Sequence, residues 1–125
     1  MGVHLTIDIK RRLIVATFFG EINDADVLGL ASEVGSHPDF DPSLSILWDF
    51  SGVAAGTVST SAMRELSWRK SILSPTSMHV IIAPQDHIFG LFRMGEVFAQ
   101  KTKPNVVVVR TVNEARKFLG SEKAS

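Results

Sequence analysis

The chain opens with VHLTIDI, Val3 to Ile9, in which apolar and polar positions alternate strictly. Val3, Leu5, Ile7 and Ile9 fall on one side of an extended chain; His4, Thr6 and Asp8 fall on the other. That is the pattern of a half-buried strand. After the polar break Lys10-Arg11, RLIVATFFG (Arg12 to Gly20) is rich in β-branched and aromatic residues and predicts a second strand. The short gap between them predicts an antiparallel hairpin. The period then changes. From Asn23 or Asp24, either of which can cap a helix, Val27, Leu30, Ala31 and Val34 recur at three and four residues, and Gly35 and Pro38 end the run.

LSILWDF (Leu44 to Phe50), MHVIIAP (Met78 to Pro84) and NVVVVR (Asn105 to Arg110) are nearly continuous apolar runs. Such runs predict parallel strands buried on both faces by helices. Helical periodicity fills the gaps between them. One helix is expected over Ser61 to Leu73, with Ala62, Met63, Leu66 and Leu73 on one face. Another is expected over Ile88 to Thr102, with Ile88, Leu91, Phe92, Gly95, Phe98 and Ala99 in register. A last helix begins at the capping box Thr111-Val-Asn-Glu114, turns Ala115, Phe118 and Leu119 inward, and stops at Gly120. The order β-β-α-β-α-β-α-β-α implies an α/β fold. It is a single mixed sheet of about five strands covered by about four helices, with the alternating first strand at or near an edge. Residues 1–120 form one domain and 121–125 a frayed tail.

Composition narrows the function classes. Thirteen basic residues balance thirteen acidic ones in 125, so no long-range field favours nucleic acid or an anionic membrane. Without cysteine there is no disulfide, thiol nucleophile or thiolate metal site. The apolar runs are too short to span a bilayer, and the N-terminus does not read as a signal peptide. His4, His37, His79 and His87 show no paired spacing for a metal, and no cofactor motif is present. A cytoplasmic protein is the simplest reading.

Three segments carry a family resemblance. HPDFDPSLSILWDFSGV (His37 to Val53), IIAPQDHIFGLFRMGEVFA (Ile81 to Ala99) and RTVNEARKFLG (Arg110 to Gly120) resemble, in order, segments of the SpoIIAA-like family. These are the anti-sigma-factor-antagonist-like relatives that share the STAS fold. The resemblance implies a STAS-like sheet and a non-enzymatic regulatory module that binds a protein partner. Because some relatives are grouped with CRAL-TRIO-type lipid-binding domains, it also implies an apolar or lipid-like ligand as the alternative. Classical STAS antagonists carry Asp-Ser-Ser-Gly at the start of the helix after the third strand, where a partner kinase phosphorylates a serine. This chain has Asp49-Phe-Ser51-Gly52 at the expected strand end, but Gly56-Thr-Val-Ser-Thr-Ser61 stands before the helix and no aspartate precedes those hydroxyls.

The candidate residues follow, each with its plain structural reading. Ser59, Thr60 and Ser61 are phosphoacceptor candidates; the plain reading, which N-cap preferences favour, is that Thr60 or Ser61 caps the helix and the other hydroxyls are solvated. A phosphate there would meet free backbone N–H groups and the helix dipole. Asp49, Ser51, Pro84, Asp86 and His87 fall at the carboxyl ends of the third and fourth strands, the edge where open α/β sheets hold ligands, with Arg93 one turn further on. Local turn and cap bonds would also account for Asp49, Ser51 and Asp86. Ser51, His87 and Asp49 contain the residue types of a hydrolytic triad but lack a nucleophile elbow. Trp68 and Ile72, and Phe89, Met94 and Val97, lie outside the core stripes of their helices. Trp68 reads as a surface for a partner or a second copy of the chain, and Phe89 as a buried residue. Trp68 and Phe89, with the Asp49 edge, are also the expected walls of a ligand pocket.

Overall fold

Strand β1 (Gly2–Asp8) pairs antiparallel with β2 (Leu13–Asn23), which then runs parallel to β3 (Ser45–Thr57), β4 (His79–Ile82) and β5 (Val106–Val109) in the sheet order β1-β2-β3-β4-β5. The computed structural model describes residues 2–69, 71–100 and 105–119, and only the backbone of residues 55–57. The expected tail (121–125), the stop at Gly120 and the end of a helix at Thr102 lie outside the described residues.

The alternating β1 is an edge strand, as its pattern predicts. Val3, Leu5 and Ile7 pack inward, but Ile9 sits in the hairpin turn and is exposed. That turn closes through Arg12 N–H donating to Ile9 O, with Arg12 at φ 55°. β5 is the opposite edge rather than a central strand, so Val106 and Val107 are only half-buried.

The expected first helix is in two pieces, α1 (Asp24–Leu28) and α2 (Leu30–Gly35), separated at Gly29. Glycine tolerates this break because it has little helix preference to lose. Helix α3 spans Thr60–Trp68, shorter than the periodicity suggests: Arg69 turns extended at ψ 138°, and Leu73 is buried from the following loop. Helices α4 (Asp86–Ala99) and α5 (Val112–Leu119) complete the chain.

The largest departure is β3, which continues seven residues past Phe50. Its distal half follows β2 through register shifts after Thr17 and Gly20. Two glycines permit this. Gly20 holds φ 69°, and a Cβ on Gly52 would come within 3.2 Å of Phe18 O. Asp49-Phe-Ser51-Gly52 therefore lies inside the strand, not at its end.

The sheet separates two cores. Helices α1 to α4 cover one face, where Phe50 stacks on Phe18 at 4.4 Å between ring centroids and meets Phe92 at 4.7 Å. Leu13, Leu47, Val80, Ile82 and Val109 form a smaller core on the other face with Ala115 and Leu119 of α5. Among the described residues no helix is long and apolar enough to cross a membrane.

Candidate functional site

The amino end of α3 is where the hydroxyl run acquires partners. Ser59 is the N-cap, with extended backbone (φ −81°, ψ 158°), and its Oγ accepts from Ala62 N–H at 3.0 Å. It has a second role that the sequence does not announce. Ser59 N–H donates to Asp24 Oδ1 at 2.7 Å and Ser59 Oγ–H donates to Asp24 Oδ2 at 2.8 Å. Asp24 is the first residue of α1, held there by a capping box between Asn23 and Asp26. Its carboxylate suits the positive end of α1's dipole. One serine thus joins the starts of two helices, and the acidic neighbour missing from the local motif arrives from 35 residues earlier. Thr60 and Ser61 occupy the exposed first turn of α3, and their hydroxyls have no partner among the described residues. The Thr57 side chain lies outside the described residues.

Among the described residues, hydrogen bonds and ring contacts join the six ligand candidates only as Asp49 with Ser51, and Asp86 with Phe89 through a shared partner. Asp49 is half-buried within β3, and its Oδ1 accepts from Ser51 N–H at 2.9 Å. Ser51 is exposed. Neither hydrogen-bonds to His87 among the described residues, so no triad assembles. Asp86 and Phe89 are brought together by a residue the sequence reading missed, Arg110. Its guanidinium donates to Asp86 Oδ1 at 2.6 Å and to Pro84 O at 3.0 Å, and lies 4.1 Å from the centre of the Phe89 ring. This is a clamp between the β4–α4 and β5–α5 turns. Phe89 is half-buried beneath it rather than deep in the core. Arg93 pairs instead with Glu96 at 3.1 Å. Trp68 ends α3 and is 65% exposed, with Ile72 nearby in sequence at 41%.

Gln85 was also missed. It stands at the N-cap of α4, and its amide donates to Phe50 O and Val53 O, holding the irregular part of β3.

A cavity of about 110 Å³ lies between α2, α3, α4, the loop after α3, and residues of β3 (Ile46, Trp48), β4 (His79, Ile81) and the start of β5 (Val106). None of the six ligand candidates lines it.

No family model matches the sequence, and no curated protein matches it. Among solved structures the chain is similar to SpoIIAA, a Bacillus cell fate determinant, determined in its phosphorylated form. The identity is 17% and the TM-score 0.52, with 93% of this chain and 97% of that one covered. The likeness covers nearly all of the chain, and the chain has the fold of SpoIIAA, the STAS fold.

Proposed function

We propose that this protein is a non-enzymatic regulatory module that acts in the cytoplasm on a protein partner. Phosphorylation in the run Ser59, Thr60 and Ser61 controls it. The observation that carries this reading is the double hydrogen bond from Ser59 to Asp24 at the N-terminus of α3. The likeness to SpoIIAA, a protein seen in a phosphorylated form, supports it.

The physics of a switch is available at Ser59. A phosphate of about −1.5 to −2 charges removes the hydroxyl proton that binds Asp24 and places two anions side by side. Unit charges at about 4 Å repel by about 1 kcal/mol in bulk water and about 4 kcal/mol near a protein surface. The same phosphate gains from the free N–H groups of the first turn of α3. Modification at Ser59 therefore exchanges a latch between α1 and α3 for a repulsion, while the helix itself is kept. At Thr60 or Ser61 the phosphate adds charge to the same exposed rim without breaking the latch.

The test is a comparison of co-purifying proteins between the native chain and Ser59→Asp, Thr60→Asp and Ser61→Asp, each verified as folded by circular dichroism. A partner held by the native chain is expected to be lost from at least one acidic variant. Undiminished binding in all three would remove the switch.

A further inference from the structure

We infer that the cavity beneath α3 and α4 is a binding site for a small, uncharged, apolar molecule about the size of a benzene ring. The inference does not rest on the phosphorylation reading.

A single water needs about 10–15 Å³ of such space and two to four polar partners. This cavity offers about 110 Å³, and its wall is built from Leu30, Val34, Ile46, Met63, Phe92 and similar groups. Of the polar groups that reach it, the Trp48 Nε1–H lacks a partner among the described residues, and a lone donor falls short of the two to four partners a water needs. Ser67 Oγ donates to Met63 O at 2.8 Å and lies 3.1 Å from Gly95 O; His79 also holds a partner. Water therefore has little to bind. Apolar cavities of roughly 150 Å³ walled by Leu, Ile and Phe stay dry and take benzene or xenon.

Charge decides the class of ligand further. The charged side chains on the wall, Arg69 and Glu96, are paired with Glu65 and Arg93. An anionic or cationic head group would have to break one of these pairs, whereas a neutral molecule disturbs neither. Access lies where the wall reaches the surface, beside the exposed residues Ala31, Arg69 and Ile72. Trp48 lines the cavity, and its Nε1–H is buried without a partner among the described residues. Its fluorescence provides a reporter within the wall itself.

The experiment titrates benzene, and separately xenon, into full-length Trp68→Phe protein. That substitution leaves Trp48 as the single indole, since the chain has two tryptophans. Saturable change in Trp48 emission, with amide shifts confined to α3, α4 and the lining residues of β3 and β4, is expected. Two variants obstruct the site. Ala99→Leu fills it from α4, and Ala31→Phe blocks the mouth from an exposed position that cannot empty the core. Each is expected to weaken benzene binding at least tenfold. A non-saturating response, or unchanged affinity in the folded Ala31→Phe protein, overturns the inference.

Discussion

Two glycines in α4 make a matched pair of perturbations. Gly90 is exposed, and a Cβ built on it meets nothing within 4 Å. Gly90→Ala should therefore yield the plain helix-propensity gain of about 1 kcal/mol. Gly95 faces α3. A Cβ there would stand 2.4 Å from Met63 Sδ and 2.9 Å from its Cγ, and Met63 is only 2% exposed. Gly95→Ala gains the same propensity but must move Met63, and overpacking of this kind costs about 1–3 kcal/mol. The net effect is a loss of up to about 2 kcal/mol, so the two alanine variants should differ by about 1–3 kcal/mol. For a domain of this length that is a separation of about 3–10 °C in melting temperature. Urea unfolding followed by circular dichroism measures it. A coupled test removes ambiguity: on a Met63→Ala background, Gly95→Ala should become stabilising. Met63 and Gly95 both line the cavity, so a thioether displaced into it should weaken benzene binding in Gly95→Ala. Equal stabilisation by both glycine substitutions would refute the packing of α3 against α4 described above.

Ser59→Ala removes a cap worth about 1 kcal/mol together with the hydroxyl bond to Asp24 but keeps the backbone N–H bond, whereas Asp24→Ala removes both bonds. The double variant should cost less than the sum of the singles in urea unfolding, because both singles lose the hydroxyl–carboxylate bond; additivity would mean that this bond contributes nothing. Phe50→Ala empties the centre of the aromatic stack between Phe18 and Phe92 and should cost about 3–5 kcal/mol, so a loss under about 1.5 kcal/mol would show that the stack is not the core. The Asp41 carboxyl is held below its ordinary value of 3.8, first by Ser43 N–H, then by the Ser43 hydroxyl, with Arg12 adding attraction. A carboxyl lowered in the folded state stabilises above its ordinary value, and that contribution is lost as pH falls through the lowered one. Asp41→Asn should therefore narrow the difference in urea midpoint between about pH 6 and about pH 3, and an unchanged difference would count against these bonds.

How much of this was legible in the residues varies with distance along the chain. Local periodicity reveals every strand and the helical segments between them, because each buries a face whose spacing is written in a short window. It fails where tertiary pairing overrides composition. Gly-Val-Ala-Ala-Gly-Thr reads as a loop, yet its backbone finds a partner in the far end of β2 and becomes strand. The end of α3 is missed for a similar reason. Leu73 keeps the periodic position of a helical residue, but it reaches the core from a loop after Arg69 has turned away to bind Leu28 O with its guanidinium. At the candidate site, the capping role of the hydroxyl run follows from residue type alone, although the cap is Ser59 rather than Thr60 or Ser61. Asp24 and Arg110 were invisible as site residues because their partners lie 35 and 24 residues away, and no local pattern encodes such pairs. The ligand candidates Asp49, Ser51 and Asp86 come from the carboxyl edge of the sheet, and Trp68 and Phe89 from apolar positions outside the core stripes of their helices. The cavity lies instead beneath α3 and α4, where helix packing leaves a gap that no motif signals.

The most direct measurement is a phosphosite map of the protein isolated from its own host under phosphatase inhibition, with intact mass recorded alongside. The account predicts a chain carrying one phosphate within the peptide that contains Ser59, Thr60 and Ser61. Phosphate confined to other positions, or an unmodified chain at every growth stage, would contradict it.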